Sequence, residues 1–370
     1  MKDNARYTNT LSLPHGQLKL PVFMPDATFG FVRAVDSNDL IRCKIQALVM
    51  NAFHLMQHPG SSTIKVLGGL HKMFGWNKPI ITDSGGFQIY SLMRDNPKYG
   101  SISKNGIIFW PRGVGRKFVL TPEKSIQLQL SYGADIIICL DYCTHPDDSY
   151  KSQEESVIRT IQWARRCKFE FEKHINKQSR LNHTEPLLFG VIQGGRYVEL
   201  RKQCAETLLD IGFDGFGYGG YPFDSKGTLL IDILKFTRKL IPTKFLMFAL
   251  GIGSPENIKK GFKIGYDLFD SSLPTRDARY GRLYIFETEK INRFDQYSRI
   301  YIGDRKYIKR KEPISINCDC LTCSNYSRAY LHFLFKRNDP IYYRLATIHN
   351  LRFMTLFMRK LRGDRLLETK

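Results

Sequence analysis

Short, continuous apolar runs recur along the chain, at 22–24, 47–50, 79–82, 136–140, 187–192, 215–218, 245–250 and 266–269. Unbroken hydrophobicity, as opposed to alternation, marks strands covered on both faces, as in a parallel sheet. The stretches between them carry helix-start signals. Ser152 with Glu155 reads as a capping box ahead of Val157, Ile158, Ile161 and Ala164. Thr121-Pro122-Glu123 and Ser254-Pro255-Glu256 each put a capping hydroxyl before a proline at the first helical position. Eight strands alternating with helices predict an α/β fold of the (β/α)8 TIM-barrel type; an open doubly wound sheet is the weaker option.

From about Tyr301 the character changes. A basic run (Arg305, Lys306, Lys309, Arg310, Lys311) leads to a cysteine cluster, then to two helical stretches at 327–336 and 341–361. This divides the chain into a catalytic barrel, 1–300, and a metal-binding subdomain inserted near the carboxyl terminus, 301–370, whose helices pack on the barrel. No repeat of solenoid period and no long linker separates the two.

Barrel enzymes carry their chemistry at the carboxyl ends of the strands. Here Asp83 follows the third run, Asp141 the fourth, Gln193-Gly194-Gly195 the fifth, Gly219-Gly220 the sixth and Gly251 the seventh, while Asp270 ends the eighth. Two carboxylates flanking a glycosidic bond permit a two-step displacement, one attacking the anomeric carbon and the other shuttling the proton. Asp270 and Asp83 could form such a pair if the barrel mouth brings strands three and eight together, and Arg276 or Arg279 would help to keep a nucleophilic Asp270 ionised. In Thr82-Asp83-Ser84-Gly85-Gly86-Phe87-Gln88, the glycines let a ligand approach the backbone and Phe87 offers a stacking face for a planar heterocycle. Asp141, Gln193, Gly219 and Gly220 supply the mixed acceptors and donors that a purine edge needs. Cys143 fits a small apolar filler as well as a contact, and the two glycines fit packing as well as binding.

The chain has 370 residues, 42% hydrophobic and 25% charged, enough for a large core, and a net charge of +21. That excess favours a polyanionic partner, and with Arg352, Arg359, Lys360, Arg362 and Arg365 near the end it suggests a phosphate-backbone surface. No apolar run of about 18 residues marks a transmembrane helix, and Met1-Lys2-Asp3-Asn4 lacks the apolar core of a signal peptide, so a cytoplasmic protein without membrane contact is expected. Of eight cysteines, Cys318, Cys320 and Cys323 cluster. Three thiolates at this spacing, with His349 as fourth ligand and His332 as the alternative, make a closed structural Zn²⁺ site, one per chain.

Taken together, Thr82 through Gln88, Asp141-x-Cys143-Thr144, Phe189-Gly190-x-x-Gln193-Gly194-Gly195, Phe269-Asp270-x-x-Leu273-Pro274-Thr275-Arg276-x-x-Arg279, and the cysteine cluster with His349 closely resemble the tRNA-guanine transglycosylases. The resemblance spans nearly the whole chain. It implies a zinc-bearing barrel that exchanges the wobble guanine of tRNAs with a GUN anticodon (those for aspartate, asparagine, histidine and tyrosine) for a 7-deazaguanine, through a covalent ribosyl intermediate on Asp270. By the same resemblance Asp83 would be the acid/base; Asp141, Gln193 and the Gly220 amide would read the base edge; Phe87 and Leu250 would sandwich it; Thr275, Arg276 and Arg279 would hold the anticodon loop. The bacterial family enzyme is a homodimer, which sets the same expectation here; a catalytically silent tRNA-binding subunit, or a relative acting on another nucleic acid, is the rival reading. The chain departs from the bacterial pattern where Tyr221-Pro222-Phe223-Asp224-Ser225 replaces the usual Leu-(Ser/Ala)-Val-Gly-Glu, where Tyr142 replaces Glu, and where Leu250 replaces Met. Cys143 keeps the bacterial residue and tips the expected substrate toward the aminomethyl precursor over queuine.

Overall fold

In the computed structural model, which describes residues 10–110, 117–178, 185–286 and 297–368, each of the eight apolar runs contains a strand. They are β1 Val22–Pro25, β2 Leu48–Asn51, β3 Ile80–Asp83, β4 Ile136–Ile138, β5 Leu187–Ile192, β6 Gly215–Tyr218, β7 Leu246–Ala249 and β8 Leu268–Ser271. All pair in parallel, in the order β1-β8-β7-β6-β5-β4-β3-β2. The ring meets itself between β1 and β2, where Asp26 bridges Val49 and the Ala27 N–H donates to the Val49 carbonyl at 2.7 Å. β3 and β8 are therefore not neighbours; β1 and β2 stand between them.

The pleat sorts the side chains. Phe23, Leu48, Ile80, Ile137, Leu188, Phe216, Met247 and Phe269 point outward into the layer shared with the helices. Met24, Val49, Ile81, Ile138, Val191, Phe248 and Leu268 point inward and form a second buried cluster. On β6 the inward positions are Gly215 and Gly217, and a Cβ on Gly215 would lie 2.5 Å from Phe189 Cζ. Missing side chains on one strand make room for the large ring on its neighbour, which is how a narrow barrel fills its interior.

The lower end is stoppered. The hairpin Thr10–Leu13/Gly16–Lys19 drives Leu13, Leu18 and Leu20 into the interior cluster. Aspartates in the turns before alternate strands tie that end together. Asp135 accepts from the Ile80 and His15 N–H groups at 2.8 Å each, Asp214 from Leu188 N–H at 2.8 Å, and Asp267 from Met247 N–H at 3.2 Å. The His15 ring, bonded to Asp135, stacks on His71 at 3.6 Å.

The principal helices are α1 Gly86–Asp95, α2 Pro122–Ser131, α3 Tyr150–Gln178, α4 Val198–Ile211, α5 Ile231–Leu240, α6 Pro255–Lys263, α7 Leu273–Arg279, α8 Arg328–Lys336 and α9 Pro340–Glu368. Thr121 and Ser254 cap α2 and α6 as expected, accepting from Lys124 and Asn257 N–H. Ser152 does not cap α3: the helix starts at Tyr150, and Ser149 Oγ accepts from the Ser152 N–H at 3.3 Å. The apolar spacing sets the helix, but an earlier hydroxyl begins it. Strands β9 Arg282–Phe286 and β10 Tyr297–Tyr301 pair antiparallel, so residue 300 falls within a hairpin. Helix α9 lies along α7, with Asn350 Nδ2 donating to the Pro274 and Arg282 carbonyls at 3.0 Å and Tyr342 OH to the Ala278 carbonyl at 3.0 Å. Arg352, counted above among the phosphate-facing cations, is buried and forks onto Asp319 at 2.5 and 2.7 Å, so its charge is spent inside the protein.

Gly215→Ala adds one methyl to a filled interior with no room to accept it. We expect a loss of about 1–3 kcal/mol of unfolding free energy in denaturant titration, with the native fold retained.

Candidate active site

Continuing the inward alternation beyond the hydrophobic layers puts Asp83 above Ile81, Gln193 above Val191, Leu250 above Phe248 and Asp270 above Leu268. Their upper ends open into a cleft of about 440 Å³ lined by Asp26, Asp83, Phe87, Asp141, Cys143, Gly219, Gly220, Tyr221, Leu250, Asp270 and Arg276, among others. The acids on β3 and β8 thus face one space although their strands are not adjacent.

Asp270 is held by the Gly251 N–H, 2.8 Å from Oδ1, and burial raises its carboxyl to about 7. Arg276 lines the cleft, but what favours the Asp270 anion is this backbone N–H more than either arginine. Asp83 accepts from the Gly85 N–H at 3.0 Å; burial, then the charge of Asp270, carries it to about 8, against the pull of the neighbouring Asn51 amide. Desolvation and like charge both disfavour a second anion. At neutral pH the pair therefore carries roughly one proton, held mainly on Asp83.

Beside the acids lies a second set of polar groups. Gln193 Nε2 donates to Asp141 Oδ2 at 2.6 Å, while Gln193 Oε1 is buried with no hydrogen-bond partner. Burial raises Asp141 to about 6, leaving it mostly ionised at neutral pH. A carboxylate next to an orphaned amide oxygen suits a ligand edge rich in N–H donors, since a buried acceptor left unpaired is costly. Gly219 lines the cleft with its N–H spent on the Ile192 carbonyl at 2.9 Å, and a Cβ there would lie 2.7 Å from the Gln193 side chain. The Gly220 N–H, on backbone at φ +83°, meets the buried Cys143 thiol. Gly85 and Gly86 are equally constrained, since Cβ atoms would lie 2.2 Å from Phe53 Cβ and 2.8 Å from the Asp141 carbonyl.

One group that the sequence pattern did not single out frames this seat. Arg201 on α4 is 1% exposed and donates to the carbonyls of Ile192, Gly195 and Gly219 at 3.0, 2.8 and 3.1 Å, with its guanidinium 4.0 Å from the Tyr218 ring centroid. A cation on an amphipathic helix reads as surface; only the fold turns it inward to tie the ends of β5 and β6. Asp26, also missed, follows the first apolar run by the same rule that finds Asp83 and Asp270.

The departing segment forms one cleft wall. The Tyr221 ring lies 5.1 Å from both Phe87 and His145, and Phe223 also lines the cleft. Asp224 organises the turn by accepting from the Lys226 and Thr228 N–H groups at 2.9 and 2.8 Å, while Ser225 is exposed. Tyr142 is no part of the cleft lining and packs toward Trp163. Thr275 is buried, its hydroxyl donating to the Ser272 carbonyl at 3.0 Å; with Arg279 it lines a second pocket that opens beside the cleft.

The four ligand atoms of Cys318, Cys320, Cys323 and His349 lie within 4.8 Å of one another, all buried. His349 Nε2 is anchored on the Tyr284 carbonyl at 2.7 Å, which turns Nδ1 toward the sulfurs of Cys323 and Cys320 at 3.2 and 3.7 Å. His332 is engaged elsewhere, with Nδ1 on the Ile302 carbonyl at 2.8 Å. The set can hold a metal ion, and His349 supplies its nitrogen.

A family model described as "Queuine tRNA-ribosyltransferase" matches residues 3–364. The chain belongs to this family. It is 38% identical over 362 residues to the queuine tRNA-ribosyltransferase of Halothermothrix orenii, covering 97% of this chain and 91% of that protein. With the same-named protein of Caldanaerobacter subterraneus subsp. tengcongensis it shares 38% over 364 residues, 97% and 91% of the two chains. With that of a Psychrobacter species it shares 36% over 355 residues, 95% and 88%. Among the described residues no helix is long and apolar enough to cross a membrane.

The acid pair also leaves a mark on stability. A native carboxyl raised to about 8 binds its proton more tightly than the unfolded chain does, at about 3.9. Native stability from this group is therefore full below pH 4 and is lost as pH climbs to 8. Asp83→Asn removes that loss. Its unfolding free energy in denaturant should match the wild type near pH 4 and exceed it at pH 9, by an amount on the order of 5 kcal/mol.

Proposed function

We propose that this enzyme exchanges the guanine at the first anticodon position of GUN-anticodon tRNAs for a 7-deazaguanine, in queuosine synthesis. The observation that carries the reading is the pair of buried carboxyls, Asp83 and Asp270, facing one cleft from β3 and β8, with the Gly251 N–H on Asp270 and a donor-seeking edge beside them, within a chain of this family. The less raised Asp270 attacks C1′ as the anion, forming a ribosyl ester while the C1′–N9 bond breaks. Asp83, the better proton holder, gives its proton to the departing base. The incoming base then yields a proton to Asp83 and attacks C1′, releasing Asp270.

Asp141 and Gln193 take the N–H donors of the purine edge, and the Gly220 amide with Cys143 lies along the same seat. Phe87 and Leu250 cover its faces. Arg276 and Arg279, with Thr275 as support, hold the phosphates of the anticodon loop. Cys143 favours the aminomethyl precursor over queuine, and Tyr221 through Ser225 shape the pocket for the substituent.

Zn²⁺ suits three thiolates and an imidazole, and with all four positions filled by protein it braces structure without activating water. A homodimer working in the cytoplasm, where its substrate resides, completes the reading.

Purified protein should incorporate labelled guanine into a GUN-anticodon tRNA, and Asp270→Ala should reduce this on the order of a thousand-fold or more. Binding of tRNA without any incorporation by the wild type would instead favour a silent subunit. Exchange rate against pH should be bell-shaped with its maximum between about 7 and 8, since Asp270 must lose its proton and Asp83 keep one. Competition among guanine, the precursor and queuine fixes the preferred base. Metal analysis should return about one zinc per chain, and Cys320→Ser should lower both that content and the unfolding temperature.

A further inference from the structure

Asp26 is a fourth carboxylate at the mouth, beside Asp83, Asp141 and Asp270, and the reaction above leaves it without a role. It stands just beyond β1, the strand paired with β8, in a register that sets Asp270 against Met24 and Ser271 against Pro25. It lines the catalytic cleft together with Asp83 and Asp270, and also lines the adjoining pocket that holds Arg279. Its local bonds, from the Thr28 N–H at 3.2 Å and the Thr28 hydroxyl, both fall on Oδ1. Among the described residues no cation lies within ion-pair distance of it. A further acid here raises the energy of Asp83 and Asp270, and burial raises Asp26 itself despite the pull of His54 and Arg33.

The chemistry of the substrate narrows what such an acceptor meets. Within an RNA strand the 3′ and 5′ oxygens of a nucleotide are esterified, so its ribose keeps one free hydroxyl, the 2′-OH, on the carbon next to C1′. Phosphate would be repelled by a carboxylate, whereas a hydroxyl donor is welcomed. With C1′ held at Asp270, an acceptor on the neighbouring strand stands on the ribose and not on the base. Resting on the function proposed above, we propose that Asp26 accepts a hydrogen bond from the 2′-hydroxyl of the nucleotide whose base is exchanged. Asp26 thereby makes the site selective for RNA over DNA.

The test is the dissociation constant of an anticodon stem-loop carrying guanosine or 2′-deoxyguanosine at the exchanged position. Wild-type protein should bind the deoxy form about 10-fold more weakly, the size of one charge-assisted bond. Asp26→Ala should bind both forms alike, and Asp26→Asn, which keeps an uncharged acceptor, should fall between. Asp26→Asn occupies nearly the same volume and gives the reading if the alanine variant does not fold. A wild-type ratio near one, or a wild-type ratio persisting in the variants, overturns the assignment while guanine exchange by the wild type leaves the proposed function standing. Absence of guanine exchange into the all-ribose stem-loop overturns both.

Discussion

The two-residue pleat of the parallel strands decides where every reactive group in this protein stands. Once Ile81, Val191, Phe248 and Leu268 face the barrel axis, Asp83, Gln193, Leu250 and Asp270 must face it too, one step higher. A slip of one residue on β8 would exchange Asp270 for Phe269 and bury the acid among the outer helices. The hydrophobic layers below are thus the positioning device for the polar layer above. The cost of desolvating those acids falls on the same core that holds them.

Charge is then arranged by what surrounds each carboxylate. Asp270 keeps a backbone donor from Gly251, Asp83 sits beside the like charge of Asp270, and Asp141 leans on Gln193. Three acids on one scaffold come to hold protons with different strength. The cysteine site is involved in another way. His349 grips the Tyr284 carbonyl and the next residue, Asn350, grips the carbonyls of Pro274 and Arg282, so the metal loop, α9 and the arginine-bearing α7 form one braced unit.

Much of this was legible in the residues alone. Eight apolar runs became eight strands because parallel strands buried on both faces read as near-continuous apolar stretches, a signal strong enough to survive without alternation. Acids at run ends were legible for the same reason. Other features depended on contacts distant in sequence. Nothing in the spacing decided between His332 and His349 until Ile302 and Tyr284 claimed a nitrogen of each. Arg201 and Arg352 looked like surface cations because a helix pattern cannot show which carbonyls or which Asp319 will meet them. The Ser152 capping box failed because Ser149 lay one turn earlier and served better. Asp26 was overlooked behind Pro25, although it obeys the rule that found its partners.

The stoppered lower end has a consequence for traffic. With Leu13, Leu18 and Leu20 plugging the interior and Asp135, Asp214 and Asp267 lacing its rim, the barrel is closed below by the described residues and opens above at the cleft. Anything that enters the cleft leaves by the way it came. On the function proposed above, the incoming base must use the mouth by which the departing base leaves, so arrival waits for departure. Order of events is thereby written into the architecture before any rate constant acts on it.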